Sequence, residues 1–254
     1  MNTTILIAVN TFKETIRNKI LYNILFFALG IILLSISFGE WSVFSRVQVM
    51  QDFGLATMSV AGLLLAIFIG VGMLGKEISS RTLYNVLVKP VERYQFVIGK
   101  WLGLLMTLFL NFAIMTGVFW IVIEFMGAKV NPSLLGAILL IWVELAVIVS
   151  VAILFSTMTT TMLAALFTLA FYLAGHYNDL IGLDLVENRN PILATILRGI
   201  YYLLPNLEHF NIRTRIIYEL GLPSGFIEFS VLYGLLYTAL FLLAACVIFE
   251  KRDL

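Results

Sequence analysis

Long apolar stretches without charge are the feature that most limits how this chain can fold. Between Lys129 and Asp179, nearly fifty residues carry a single formal charge, that of Glu144. A helix needs about 20 apolar residues to cross a membrane core of about 30 Å, so this stretch is long enough for two spans. Of all residues, 61% are hydrophobic and 12% are charged, whereas a soluble domain carries about 25% charged residues. We therefore predict a polytopic membrane protein.

Six apolar stretches divide the chain, and they predict an all-α protein with six transmembrane helices in one domain of residues 1–254. The predicted spans are residues 20–38, 53–75, 101–123, 134–155, 162–177 and 229–249. In the second span, Gly62, Gly70, Gly72 and Gly75 thin the helix for close packing or mark a hinge. The same small-residue pattern occurs in Gly99-Lys100-Trp101-Leu102-Gly103 at the start of the third span.

Residues 1–19 have the pattern of an amphipathic helix that precedes the first span. Ile5, Ala8, Val9, Phe12 and Ile16 follow helical spacing, and polar residues fall elsewhere. Such a helix lies in the membrane interface, with its basic side chains toward anionic headgroups. A simple extension of the first span is the alternative.

Residues 178–228 form the longest stretch outside the spans. Asn190-Pro191 is a helix cap followed by a proline suited to the first turn. A second apolar piece, predicted to be interfacial or partly re-entrant, contains Leu207, Phe210, Ile212, Ile216 and Ile217. The sequence Gly221-Leu222-Pro223-Ser224-Gly225 predicts a turn before the last span.

The coupling segment, residues 76–100, is the only long charged segment between two long apolar runs. Ser79 or Ser80 can cap a short helix that has Leu83, Val86 and Leu87 on one face, and Pro90 ends it. Such a helix can insert into a groove of a soluble partner. Charge pairs fix the register of such a contact, and the candidates are Glu77, Arg81 and Arg93. The alternative is that these charges only anchor a loop.

Basic residues are concentrated in residues 1–19, 76–100 and 250–254. Six spans place these three segments on one side of the membrane, and the positive-inside rule makes that side cytoplasmic. Both termini are therefore predicted to be cytoplasmic, and residues 178–228 extracytoplasmic.

The chain resembles the ABC-2-type permeases, which are membrane subunits of ATP-binding-cassette exporters. The resemblance rests on Lys76-Glu77, Arg81-Thr82, Leu87, Lys89-Pro90-Val91, Arg93, Phe96 and Gly99-Lys100, and on the amphipathic start and charged end of the chain. The family usually reads Gly-Thr where this chain has Arg81-Thr82. Within the family, Leu203-Leu204-Pro205-Asn206 resembles the permeases that mature multi-copper enzymes and nitrous-oxide reductase.

This resemblance implies a subunit of the bacterial or archaeal cytoplasmic membrane that moves substrate outward. Two copies of a cytoplasmic ATPase would bind ATP and Mg²⁺, a second permease copy or paralogue would complete the path, and a periplasmic partner protein is a further possibility. The chain lacks the G-x-x-x-x-G-K-[ST] phosphate-binding motif, so we expect no cofactor on it and no catalysis by it. The residues expected to couple it to the ATPase are Glu77, Arg81, Thr82, Leu83, Val86, Leu87, Pro90 and Arg93.

Glu144 is the most unusual residue of the predicted spans, because placing a carboxylate at membrane depth costs about 2.5–3.5 kcal/mol on insertion scales. It is predicted to lie in the substrate path or in a polar contact between subunits, or else to make a structural hydrogen bond. His176 and Asp179, placed at the outer end of the fifth span, are too few for a closed metal site.

Other classes of protein fit less well. A stand-alone intramembrane protease or lipid-modifying enzyme needs paired catalytic groups at membrane depth, and we expect Glu144 to stand alone there. A channel-like protein explains the spans but not the coupling segment. A net charge of +1 argues against nucleic acid. Cys246, the single cysteine, lies in an apolar run and predicts neither a disulfide within the chain nor a metal cluster.

Overall fold

The computed structural model describes residues 3–40, 45–79, 92–127, 133–177 and 204–251, with only the backbone given for residues 73–79. These ranges contain helices and turns and no β-strand. The helices are α1 (Thr3–Ile16), α2 (Lys19–Glu40), α3 (Arg46–Ser79), α4 (Arg93–Phe125), α5 (Ser133–Met158), α6 (Thr161–His176), the 3-10 helix η1 (Leu207–Phe210), α7 (Arg213–Ile217) and α8 (Phe226–Glu250).

The predicted fold class, an all-α polytopic membrane protein, is confirmed. Five helices in the described ranges, namely α2, α3, α4, α5 and α8, are long and apolar enough to cross a membrane. The sixth apolar helix, α6, has 16 residues, which gives a length of about 24 Å. Five of the six extend over a whole predicted stretch, and α6 ends at His176, one residue before the end of the stretch predicted at 162–177.

Helix α5 lies at the centre of the bundle and contacts α3, α4, α6 and α8. A helix that is apolar on all sides can be buried on all sides, and α5 is buried almost continuously from Val143 to Ile153. The outer helices α2 and α8 instead expose large apolar side chains such as Phe26 and Leu243. Such side chains suit the apolar surroundings of a membrane.

The two ends of the bundle differ. At the α1 end, α1 packs on α4 and the start of α4 contacts the last turn of α8. At the α7 end, α7 packs on α3 and α5, and η1 packs on α5 and α6. The α1 end therefore brings together residues 3–16, Arg93 and Glu250, which all lie in the segments that the charge pattern assigns to one side of the membrane.

The apolar piece predicted near residue 207 is a packed element in the structure. Its five apolar residues are buried and belong to the main core: Leu207, Phe210, Ile212, Ile216 and Ile217. The predicted turn before the last span is also present, because Gly221 and Gly225 adopt φ values of +70° and +81°. Glycine favours these left-handed values because it has no Cβ. The helix predicted at Asn190-Pro191 lies outside the described residues.

Candidate functional site

The start of α4 is fastened to the end of α8 by Arg93. Nη1 of Arg93 donates to the carbonyl oxygens of Phe249 and Glu250, at 3.2 Å and 2.8 Å. The last carbonyls of a helix have no partner within the helix and carry partial negative charge, so a guanidinium satisfies them well. Below this contact, the rings of Phe96 and Phe249 stack with centroids 5.9 Å apart. Arg93, which lies within the coupling segment, thus holds the last helix.

Helix α1 is seated on α4 along a seam of small residues. A Cβ added to Gly103 would lie 2.5 Å from the carbonyl oxygen of Ala8 and 2.6 Å from Cβ of Thr11. A Cβ on Gly99 would lie 2.8 Å from Cβ of Ile7. The sequence Gly99 to Gly103 was predicted to allow tight helix contact, and this prediction is confirmed with α1 as the partner.

The face that α1 buries differs from the apolar face predicted for it. Ala8, Thr11 and Thr15 are the buried residues of α1, whereas Ile5 is 49% exposed. Small side chains fill the seam because the glycines of α4 bring the two backbones together, which leaves the larger residue outside for lipid. Lys100 is buried beside this seam, with Nζ 3.8 Å from Oε2 of Glu14.

Most of the predicted coupling residues lie outside the described residues. These are Arg81, Thr82, Leu83, Val86, Leu87 and Pro90. Glu77 lies in the last turns of α3, which continues to Ser79. Arg93 is described and is the first residue of α4, preceded by Glu92 as the N-cap.

Three ionisable side chains meet in the bundle near its α7 end, and we call them the acid–histidine cluster: Glu144, His176 and Glu208. Nε2 of His176 lies 3.6 Å from Oε1 of Glu144 and 3.9 Å from Oε2 of Glu208. Glu144 is 2% exposed, and Glu208 is half-exposed. Oε1 of Glu144 accepts no hydrogen bond from the described residues.

The register of two helices explains why Glu144 and His176 meet. Helices α5 and α6 run antiparallel, and α5 ends at Met158 where α6 begins at Thr161. At about 1.5 Å per residue, Glu144 lies about 21 Å before the end of α5 and His176 about 22 Å along α6. The two side chains therefore stand at the same depth.

Glu208 lies in η1, and hydrogen bonds of the residues on either side of η1 hold it in the cluster. Oδ1 of Asn206 accepts from the backbone N–H of Glu208 at 3.0 Å and caps η1. Nδ2 of Asn211 donates to Oε1 of Glu208 at 2.9 Å. The hydroxyl of Tyr233 on α8 accepts from the backbone N–H of Asn206 at 2.9 Å. These bonds direct the second carboxyl oxygen of Glu208 toward His176.

A cavity of about 190 Å³ opens beside the cluster between α3, α5, α6 and the η1–α7 loop. Its polar lining includes Glu144, His176, Ser59, Tyr172 and Asn211. The ring of Tyr172 lies 4.5 Å from that of His176, centroid to centroid, and its hydroxyl hydrogen-bonds with Ser59. Most of the remaining lining residues are apolar, so the cavity presents a few polar groups within a mainly apolar lining.

Residues 5–254 match the family model described as ABC-2 family transporter protein. The chain belongs to the ABC-2 transporter family. No curated protein matches the sequence. The permease is accordingly an integral membrane protein that serves as the membrane component of an ABC transporter, and its family implies association with an ATPase subunit.

One expectation about the permease was wrong. Glu144 was expected to stand alone at membrane depth, with His176 near the rim, but the two side chains are 3.6 Å apart. The expectation failed because it placed the end of α6 at the membrane surface and did not take the length of α6 into account. A helix of 16 residues that starts at the α1 end finishes inside the bundle, at the depth of Glu144.

Sequence reasoning also missed Glu208, Tyr172 and Ser59 as neighbours of Glu144 in the permease. Counting residues outward from the polar break at Ser156–Thr161 would have paired Glu144 with His176, and Tyr172 one turn before it. No comparable signal exists for Glu208, because its place depends on how the η1–α7 loop folds back onto the bundle.

Proposed function

We propose that this chain is the permease subunit of an ABC exporter, driven by ATP hydrolysis on a separate cytoplasmic ATPase. The observation that carries the proposal is the bond from Arg93 to the end of α8. The coupling segment begins in the last turn of α3 and ends in the first turns of α4. Arg93 links α8 to the start of α4. The close contact of Gly99 and Gly103 with α1 links α1 to α4 as well.

Movement of the coupling segment would thus reach four helices at once. When two ATPase copies close on ATP, a helix held in a groove of the ATPase moves as a rigid body and tilts the helices joined to it. In this proposal Glu77, Arg81, Thr82, Leu83, Val86, Leu87 and Pro90 make or shape the contact, and Arg93 passes the motion to α8. ATP and Mg²⁺ bind to the ATPase, and this chain binds no cofactor.

The substrate-path role for Glu144 is supported by the cavity that its side chain lines, together with residues of α3, α6 and η1. A second permease copy or paralogue completes the path in this proposal, both termini are cytoplasmic, and a periplasmic partner protein is an additional possibility. The narrower resemblance to multi-copper-enzyme and nitrous-oxide-reductase maturation permeases stays a prediction.

Replacing Leu83 by aspartate is expected to abolish recovery of the ATPase with the tagged chain. A charge on the apolar face of the coupling helix would be buried without a partner in the groove of the ATPase, which costs several kcal/mol. Recovery from detergent-solubilised native membranes is measured as the ATPase-to-permease ratio. Leu220→Asp is the matched control, because Leu220 is 67% exposed and follows α7 at the other end. Equal ratios for both variants and the unaltered chain would contradict the proposed contact.

A further inference from the structure

We propose that the groove between α2 and α3 binds one anionic phospholipid, with the phosphate at the turn between α1 and α2 and an acyl chain along the two helices. This inference goes beyond the proposed function and does not depend on it, because it requires only that the chain lies in a membrane. Two cavities that follow one another along the groove carry it.

The first cavity, which we call the headgroup cavity, has a volume of about 590 Å³ and opens at the α1 end. It lies between the α1–α2 turn and the part of α3 that passes beside this turn. The turn contributes four polar side chains and α3 contributes an apolar wall. These residues include Glu14, Arg17, Asn18 and Lys19 on one side, and Phe68 and Gly72 on the other.

The charge of the headgroup cavity suits an anion. Arg17 and Lys19 are both exposed, and neither forms an ion pair with another residue of the described ranges. The carboxyl group of Glu14 is engaged elsewhere, since its Oε2 lies 3.8 Å from Nζ of Lys100. A guanidinium and an ammonium group side by side match a phosphate, and basic pockets between membrane helices on the cytoplasmic side bind anionic headgroups. The charge pattern of the sequence predicts that this end is the cytoplasmic one.

The turn that presents these two basic side chains is fixed by Asn18. The backbone N–H of Asn18 donates to the carbonyl oxygen of Thr15 at 3.0 Å, and Oδ1 of Asn18 accepts from the backbone N–H of Ile20 at 3.0 Å. Arg17 and Lys19 flank this residue, so both are held at the entrance of the headgroup cavity. The seat of α1 on α4 anchors the other end of the turn.

The second cavity, which we call the acyl groove, has a volume of about 360 Å³ and is lined almost entirely by apolar side chains. The hydroxyl of Thr57 is satisfied within its own helix, because it donates to the carbonyl oxygen of Phe53 at 2.7 Å. The groove therefore offers an alkyl chain apolar contacts on both sides. Its walls include Ile24, Phe27 and Ile31 on α2, and Val60, Ala61 and Leu64 on α3.

The two cavities lie end to end because α2 and α3 run antiparallel. On α2, Ile20 lines the headgroup cavity and Ile24, one turn later, lines the acyl groove. At about 1.5 Å per residue, the distance from Ile20 to Ile31 is about 17 Å, which is close to half of a hydrocarbon core of about 30 Å. Beyond Ile31, the stacked rings of Phe38 and Phe53, with centroids 4.8 Å apart, join the two helices. The groove thus has the depth of one leaflet and a basic site at its outer end.

A phospholipid fits this groove better than a second copy of the chain does. Two copies related by a closed symmetry axis stand at the same depth in the membrane. A second copy would therefore bring its own Arg17 and Lys19 to the α1 end, where an anion is needed. A phospholipid supplies an anionic group at that end and an alkyl chain at the depth of the acyl groove.

The test measures which lipid the full chain retains after purification in detergent. The chain is incubated with equal amounts of phosphatidylglycerol and phosphatidylcholine that carry identical acyl chains. Free lipid is then removed by size-exclusion chromatography, and the lipid bound per chain is quantified by mass spectrometry. Each basic residue near a membrane surface contributes about a fivefold preference for anionic lipid. We therefore expect phosphatidylglycerol to be retained over phosphatidylcholine about tenfold or more.

Two variants locate the headgroup. Arg17→Gln and Lys19→Gln are each expected to lower the ratio of phosphatidylglycerol to phosphatidylcholine about fivefold. Lys13→Gln is the matched control, because Lys13 is exposed on α1 at the same end and does not line the headgroup cavity. It is expected to keep the ratio of the unaltered chain. Inorganic phosphate at the concentration of the lipid is expected to leave the ratio unchanged, because it has no acyl chain to bind in the groove.

A third variant tests the acyl groove independently of charge. Ala61 is buried and lines the groove, so the ring in Ala61→Phe would occupy the space of the acyl chain. We expect the loss of most of the retained lipid of both kinds. Ala239→Phe is the control, since it adds the same ring at an exposed position of α8.

Four results would overturn the proposal. The unaltered chain could show no preference for phosphatidylglycerol, or Lys13→Gln could lower the ratio as much as Arg17→Gln and Lys19→Gln do, which would indicate attraction to the whole basic surface. Displacement of the lipid by inorganic phosphate would indicate a site for the free anion. Unchanged lipid retention in Ala61→Phe, together with a shift from dimer to monomer, would assign the groove to a second copy. The charge variants are at exposed positions, so their result stands even if Ala61→Phe does not fold.

Discussion

Replacing Gly103 with valine is expected to lower the free energy of unfolding by about 1–3 kcal/mol, the usual cost of overpacking a tight contact. The added Cβ would lie 2.5 Å from the backbone oxygen of Ala8 and 2.6 Å from Cβ of Thr11. Neither of these atoms can move aside by a side-chain rotation, so α1 must shift away from α4. The free energy of unfolding is measured by titrating the chain from mixed micelles into SDS.

Gly117→Val is the matched control for this experiment. Gly117 lies on the same helix, is exposed, and has no atom within 4 Å of the position of an added Cβ. Both variants add a β-branched residue to α4, so the difference between them isolates the seam with α1. Equal unfolding free energies for the two variants would mean that α1 is not seated on Gly103.

Replacing Arg93 with alanine is expected to uncouple α8 from the ATPase without releasing the ATPase. Hydrogen bonds from a charged group contribute about 1.5–3 kcal/mol, and the partial exposure of Arg93 favours the lower end. Without those bonds, the end of α8 is no longer hydrogen-bonded to Arg93 in the coupling segment. ATP-driven motion would then reach α3 and α4 but not α8.

Cys246 provides the measurement, because it is the only cysteine of the chain and lies partly buried on α8. In the purified permease–ATPase complex, the rate at which N-ethylmaleimide alkylates Cys246 is followed by mass spectrometry with and without ATP. We expect ATP to change this rate in the unaltered complex and in the control Arg215→Ala, whose side chain is exposed near the α7 end. In Arg93→Ala the rate should not respond to ATP. An unchanged response in Arg93→Ala would remove Arg93 from the proposed path of motion.

The fold was largely predictable because a lipid environment restricts the backbone of such a chain to very few structures. Every backbone polar group must be satisfied within the membrane, so an apolar stretch of sufficient length becomes a helix whatever its neighbours are. The pattern from Gly99 to Gly103 likewise predicted a tight contact, since only small residues let two helix backbones come close. What the pattern leaves open is the partner, and α1 was identified only by the structure.

The candidate site was less predictable because it depends on relative depth and on a loop. Glu144 stands out in the sequence as a charge within an apolar stretch. Its neighbour His176 is 32 positions away, and the depth of His176 in the bundle depends on the length of α6. Glu208 depends on a loop held by Asn206, Asn211 and Tyr233. These contacts join residues that no local periodicity relates.

The side of the membrane on which the coupling segment lies decides whether a cytoplasmic ATPase can reach it. Two variants in a Cys246→Ala background measure this directly: Tyr84→Cys within residues 76–100, and Leu220→Cys at the α7 end. Right-side-out membrane vesicles are treated with a membrane-impermeant maleimide before and after permeabilisation. We predict that Leu220→Cys is labelled in sealed vesicles and Tyr84→Cys only after permeabilisation. Labelling of Tyr84→Cys in sealed vesicles, with Leu220→Cys protected, would contradict the proposed exporter.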